Sequence, residues 1–382
     1  MLRSTDRILT THTGSLPRPP DLVEMLQARM RGEPLDEQAF AARAREAVAE
    51  VVRLQVEAGI DVVNDGELSK PAFNTYVAAR LDGFGGNDPE GGITFGDRED
   101  FPGWAAAMAT RNPAYTVRPM CLGPLGWKDR APLEADIANL KSAAAQAGAR
   151  EVFMTAASIG TVGYTFRNTY YPSDEAYYYA LADVLRDEYR AIVDAGFVLQ
   201  IDAPDAAMGR HQKYRNVGLA EFRKALALAV EAQNHALQGI PAERVRYHIC
   251  WGNYEGPHTR DVELREIVDL VLEVDAGAYS VEAANPRHAH EWTVWRDVKL
   301  PDGKVLVPGV IESCTNYVEH PETVAQRIEQ YARLVGRENV IAGTDCGFGT
   351  FAGASRVHPE VMWAKFRSLA EGAAIASKRL WA

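Results

Sequence analysis

Short, β-branched apolar runs alternate along the chain with loops rich in Gly, Asp and Asn, and then with Ala-, Leu- and Glu-rich segments whose apolar residues recur at helical spacing. That alternation is the pattern of βα units around a parallel sheet. Nine stretches read as strands: ILTTHTGS, DVVNDGE, YTVRPMCLG, EVFMTAAS, FVLQIDAPD, VRYHICWGN, AYSVEAAN, VLVPGVIES and NVIAGTDCG. Nine is one more than a closed eight-stranded barrel needs, and the pattern alone does not say which is extra. Between them, DEQAFAARAREAVAEVVRLQVEAG carries a helical stripe that stops at Gly59. DVELREIVDLVLEVDAG repeats Leu264, Ile267, Val268 and Val271 before Gly277. Two stretches break the rhythm. Residues 83–103 are Gly-rich and acidic, and in residues 285–305 the pair Asp302-Gly303 predicts a hairpin turn. Long loops of this kind often serve as lids or substrate loops. Without a linker, low-complexity segment or short repeat, the expectation is one domain over 1–382, an α/β chain folded as a (β/α)8 TIM barrel with insertions in its loops.

Charge and cysteine usage narrow the chemistry. The net charge of −11 is spread along the chain, which disfavours a nucleic-acid partner. No apolar run is long enough to span a bilayer, and MLRSTDRILTTHTGS lacks the apolar core of a secretory signal, so a soluble, cytoplasmic protein is expected. Cys121, Cys250, Cys314 and Cys346 lie far apart in a chain large enough to need no staples. They read as reduced thiols, available as ligands or nucleophiles.

Polar residues cluster at one end of the predicted strands. Ser15, Glu67, Asp202, His248 with Cys250, Glu282 and Cys346 each fall at or just past the C-terminal end of an apolar run. In a (β/α)8 barrel that is the active-site face. Each has a plainer alternative: Asp202 as a helix cap, Ser15 in a turn, Cys346 as a small residue in a tight bend, His248 and Cys250 as buried core. Together, His248, Cys250, Glu282 and Cys346 would offer one nitrogen, two sulfurs and one oxygen, a donor set that suits tetrahedral Zn²⁺. A thiol substrate that displaced the carboxylate would be activated as thiolate.

THTGSLPRP, GIDVVNDGE, LQIDAPD, HIC, VEAAN, VPGVIES and ENVIAGTDCG, in that order, resemble the motifs of the catalytic C-terminal barrel of cobalamin-independent methionine synthase. The resemblance covers nearly the whole chain, and the chain is similar to the stand-alone core-type members. It implies zinc held by His248, Cys250, Glu282 and Cys346. It also implies homocysteine as the thiol acceptor, its carboxylate on Ser15 and its ammonium on Glu67 and Asp202. The implied reaction is transfer of a methyl group, from a methyltetrahydrofolate-type or other donor, to the zinc-activated thiolate to give methionine.

The chain departs from the family on the donor side. Cys314 stands where the family commonly has a histidine that handles the leaving-group proton, so His288 and His290 in NPRHAHEW become candidate acids. Tyr164 of GTVGYTF stands near the position of the tryptophan that flanks the folate. The resemblance therefore also admits other donors, including one delivered by a protein partner. A second reading is an epoxyalkane:coenzyme M transferase-like enzyme, whose sulfonate would need a cation such as Lys70 or Arg287. A zinc-free lyase of the uroporphyrinogen decarboxylase type would leave the His, Cys, Glu and Cys set unexplained, and a zinc store would need no adjoining cleft.

Overall fold

The computed structural model describes residues 1–88, 94–109 and 118–382. Ten strands are present among them: β1 (Leu9–Thr10), β2 (Val62–Val63), β3 (Leu81–Gly85), β4 (Met120–Trp127), β5 (Glu151–Ala157), β6 (Val198–Asp202), β7 (Val245–His248), β8 (Ala278–Val281), β9 (Val305–Ile311) and β10 (Ile341–Thr344). Eight form one all-parallel sheet in the order β1-β10-β9-β8-β7-β6-β5-β2, with helices outside it. The chain is a (β/α)8 barrel. The strands are buried on both faces, which is why they read as continuous apolar runs rather than as alternating ones.

The extra strand is β4. It pairs antiparallel with β3, which the apolar pattern missed, in a hairpin outside the barrel. Its sequence, MCLGPLGW, carries Pro124 and two glycines and leaves Leu122 half exposed, features of an edge strand rather than a barrel stave. The start of the predicted YTVRPMCLG run lies outside the described residues.

The Glu37–Glu57 helix follows its stripe, with the Asp36 carboxylate accepting from the amides of Gln38 and Ala39 and Gly59 at φ 87° beyond its end. The predicted helix in DVELREIVDLVLEVDAG is instead broken. A 3-10 turn spans Leu264–Glu266, and only Val268–Leu272 is α-helical. Leu264, Ile267, Val268 and Val271 are still buried. Asp261 and the Leu264 amide are committed to a histidine cluster and to Glu291, which prevents an earlier helix start. The Asp302-Gly303 turn exists, with Gly303 at φ 80°, but it makes no hairpin. It joins a 3-10 helix, Glu291–Arg296, to β9, whose neighbours are both parallel. No helix among the described residues is long and apolar enough to cross a membrane.

The seam between β1 and β2 has no strand ladder of its own, and Asp61 substitutes for it. Its amide donates to the Thr10 carbonyl (3.0 Å), its carboxylate accepts from the Thr10 amide (3.0 Å), and Arg7 and Arg150 clamp the same carboxylate. Replacing Asp61 by Ala leaves the Thr10 amide and two guanidinium groups without this acceptor. The variant is expected to lose about 1–3 kcal/mol of unfolding free energy in urea titration. An unchanged midpoint would show that the seam is held elsewhere.

Candidate active site

One cavity of about 890 Å³ opens at the C-terminal mouth of the barrel, and its wall includes Ser15, Glu67, Asp202, His248, Cys250, Cys346 and Tyr164. Strand ends position most of these. Asp202 and His248 are the last residues of β6 and β7, while Cys250 lies two residues past β7 and Cys346 two past β10. The two residues of HIC therefore do not share a regular strand. The Ile249 amide still bonds to Ser280, which keeps the chain extended long enough to bring Cys250 beside His248.

The ligand atoms of His248, Cys250 and Cys346 all lie within 4.8 Å of one another. The two sulfurs are 3.6 Å apart and unbridged. The hydrogen bond between them pushes the Cys250 thiol up. The same bond pulls Cys346 down, but burial and the charges of Glu282 and Cys314 together outweigh it and leave that thiol raised too. Burial, helped by the charge of Arg246, pulls His248 down to about 3, so its imidazole is neutral. One ring nitrogen, Nδ1, is 3.1 Å from the Ser280 hydroxyl; the other, Nε2, is buried with no partner. Glu282 is buried next to Cys250 and accepts from the Trp251 amide (3.1 Å), but it is not one of the three converging residues.

Glu67 and Asp202 form the acid side of the cavity. Burial raises both carboxyls above their ordinary range, and their mutual repulsion adds to the rise at Asp202. Glu67 sits at φ 56°, a left-handed conformation that costs energy for a side chain of its size. Its Oε1 accepts from Thr155 (3.0 Å), and its Oε2 is buried without a partner. Asp202 accepts from Gln200 (2.6 Å), which in turn accepts from Arg246 (2.5 Å) on β7. Ser15 is pressed so closely against the Cys346 loop that a Cβ on Gly347 would stand 2.1 Å from its Oγ.

The remaining predicted residues lie elsewhere. His288 is not on the cavity wall; it is buried in a cluster, with Nε2 on Asp261 (2.9 Å), Nδ1 on Glu291 (3.0 Å) and its ring stacked on Trp251. Burial opposes its charge, but the two carboxylates outweigh that and push it up to about 10. Both ring nitrogens are engaged, so the geometry leaves His288 no free site for donating a proton to a bound molecule. His290 is exposed and off the cavity wall, and the Cys314 thiol is turned onto the Asn253 side-chain oxygen (3.0 Å). Lys70 donates to the Thr155 carbonyl (2.9 Å) and Arg287 to that of His258 (2.9 Å); neither lines the cavity.

Two residues of the site escaped the sequence reading. Asp345 accepts from the amides of Ala283, Ala284 and Asn285, and so ties the loop after Glu282 to Cys346; a Cβ on Gly309 would stand 2.1 Å from its Oδ1. Asn253 donates to the Gly347 carbonyl and to Thr350 and accepts from Ser313 and Cys314, joining the loops that follow β7, β9 and β10. For Asp345 the glycine of VPGV was the available signal, since it makes room for the buried carboxylate; Asn253 had none.

Fold and site together define a (β/α)8-barrel enzyme with a thiol-rich mouth. The profile of the "Cobalamin-independent synthase, Catalytic domain" family matches residues 8–125 and 130–363, and the chain belongs to that family. An uncharacterized protein of Bacillus subtilis is 25% identical over 93% of this chain and 91% of its own. A methionine synthase of Thermococcus kodakarensis is 25% identical over 88% of this chain and 86% of its own. The fold is shared with a B12-independent methionine synthase from Shewanella sp. W3-18-1 solved in complex with selenomethionine. The TM-score is 0.74 at 22% identity, covering 98% of this chain and 99% of that one.

The acid pair makes a pH signature. An acid whose folded pKa is raised binds more protons folded than unfolded, so its contribution to stability falls as pH rises through the window between the two values. Glu67→Gln removes one buried charge and relieves Asp202. The ligand-free variant is expected to melt above the parent at pH 8, with the difference closing towards pH 4. A gap that does not depend on pH would contradict the raised carboxyls.

Proposed function

We propose that the protein is a zinc-dependent thiol S-methyltransferase that moves a methyl group from a methyltetrahydrofolate-type donor to homocysteine, giving methionine, with residues 1–382 acting as one catalytic domain. The observation that carries this is the meeting, in one cavity, of the His248, Cys250 and Cys346 cluster with the Glu67 and Asp202 pair. Relatives named methionine synthase support it.

The donor set fits zinc: a neutral imidazole with a buried nitrogen that has no partner, and two free sulfurs within 4.8 Å of it. His248, Cys250 and Cys346 would hold the ion, with Glu282 as the exchangeable fourth ligand. When bound, zinc supplies the positive charge that keeps an acceptor thiol deprotonated near neutral pH.

The chain's own residues do the rest. Glu67 and Asp202 are short of a counter-cation, and an α-ammonium group supplies one; the Ser15 hydroxyl is placed for the carboxylate. An acceptor held at both ends presents its sulfur to the methyl carbon from a fixed direction, which turns the encounter into an oriented, nearly unimolecular step. The cavity wall also carries aromatic rings, Tyr164, Phe95 and Trp104, and the cations Arg98, Lys213 and Arg356. Flat apolar walls with a cationic rim suit an aromatic ring with an anionic tail. The coenzyme M reading is less well supported, because the two cations it looked to, Lys70 and Arg287, lie off the cavity and the acid pair offers no partner to a sulfonate.

Zinc content and methyl transfer from 5-methyltetrahydrofolate to homocysteine test the assignment together. Cys250→Ser and Cys346→Ser should each lower zinc affinity by about 100-fold or more and abolish turnover. Glu67→Gln should keep zinc and raise the KM for homocysteine by about 10- to 100-fold. Full zinc content and turnover in both serine variants would overturn the metal site.

A further inference from the structure

Outside the metal cluster and the acid pair, the cavity wall holds one buried side chain whose hydrogen-bonding groups are all unused. Gln212 is 1% exposed, and neither its Oε1 nor its Nε2 has a partner. Leaving a buried primary amide unpaired forfeits its hydration with nothing in return, so a site that keeps one has a use for it. The backbone around Gln212 is firmly set. The preceding residue, His211, bonds to Asp261 through Nδ1 and to the Gly96 amide through its carbonyl. The Gln212 amide donates to Gly209, and its carbonyl accepts from the Arg215 amide and guanidinium. Only the terminal amide is left free to choose a partner, and its last torsion is soft.

The surroundings indicate what that partner is. Tyr164 lines the same cavity as Gln212 and Arg215, and the loops that carry them meet: Tyr214, two residues past Gln212, hydrogen-bonds to Tyr178, and a Cβ on Gly163, next to Tyr164, would stand 2.3 Å from the Tyr178 ring. On the other flank of Tyr164, Thr165 accepts from Asn74, whose own Oδ1 is buried and unpaired, as is the hydroxyl of Thr75. Both of these also line the cavity. An aromatic side chain thus shares this part of the cavity wall with unsatisfied polar groups. Such a subsite matches a flat heterocycle with polar edges. A primary amide, offering one donor direction and one acceptor direction side by side, matches a ring edge that carries N–H next to C=O.

We infer that Gln212 is a specificity-determining residue for the methyl donor, pairing its side-chain amide with the lactam edge of the donor ring while Tyr164 covers the ring face. The inference rests on the folate-type donor proposed above. A site built to hydrogen-bond such an edge rejects analogues that lack it, because its own amide is then left unpaired.

The test is calorimetric titration of the full chain with 5-methyltetrahydrofolate and, separately, with homocysteine, for the native protein, Gln212→Met and Gln212→Glu. Gln212→Met keeps the bulk and removes the polar atoms; Gln212→Glu keeps the shape and removes the N–H donor. Both should weaken the folate about ten-fold or more and leave homocysteine affinity unchanged. The ligand-free methionine variant should also melt at a higher temperature than the parent, since an unpaired amide has been removed. Folate binding that survives both substitutions, or an equal loss for homocysteine, overturns the role of Gln212 alone. A native protein that binds homocysteine but not the folate overturns the folate-type donor, and the pairing with it.

Discussion

Glu67 and Asp202 are two carboxyls held out of water at the same cavity wall, with no ion pair to either among the described residues. Each is harder to ionise because it is buried, and the charge of Glu67 makes Asp202 harder still. Most of the surrounding structure serves to hold this unfavourable arrangement. Arg246 crosses the barrel interior, bonding to Thr11 (2.9 Å), the His12 carbonyl (2.7 Å) and Gln200, and Gln200 passes that restraint on to Asp202. The left-handed backbone at Glu67 is a second cost, sustained by Arg18, which bonds to the carbonyls of Glu67 and Lys70. A cationic ligand group would relieve the repulsion, which is why the proposed function gives this pair the ammonium of an amino-acid substrate.

The thiol and imidazole cluster follows a related logic. Burial and Arg246 keep His248 neutral, and the bond to Cys346 together with burial raises the Cys250 thiol, a donor set that fits the metal ion proposed above. Asp345 and Asn253 fix the loops that carry them, through backbone groups after β8 and β10 and through the Ser313 and Cys314 side chains after β9. The small residues of the motifs belong to this arrangement. Gly309 and Gly347 leave the room that Asp345 and Ser15 occupy.

Much of this was legible in the chain. Eight of the nine apolar runs became barrel strands, because a stave buried on both faces must be apolar throughout, and acids, thiols and histidine at their ends stand out against that background. What escaped has local causes. The β3 partner of the outer hairpin, LDGFG, is short and carries two glycines, so nothing in its pattern marks a strand. The Leu264 to Val271 stripe buries as a helical stripe should, yet Asp261 and Glu291 bond across it to His211, His258, His288 and the Leu264 amide, and tertiary hydrogen bonds override the local periodicity. His288 drew attention as an acid because sequence shows a histidine but not its neighbours; two carboxylates make it a structural cation. Gln212 and Asn253 carry no signal in sequence at all, since an amide becomes informative only once its partners, or their absence, are known.

On the function proposed above, the mouth of the barrel binds an amino-acid thiol and takes its proton. Titration of the zinc-loaded protein with homocysteine and with coenzyme M, in buffers of different ionisation enthalpy, reads affinity and proton release in one experiment. Homocysteine is expected to bind with release of protons and coenzyme M far more weakly, because Glu67 and Asp202 suit an ammonium group and offer no partner to a sulfonate. Equal or tighter binding of coenzyme M, or homocysteine binding with no proton released, would contradict it.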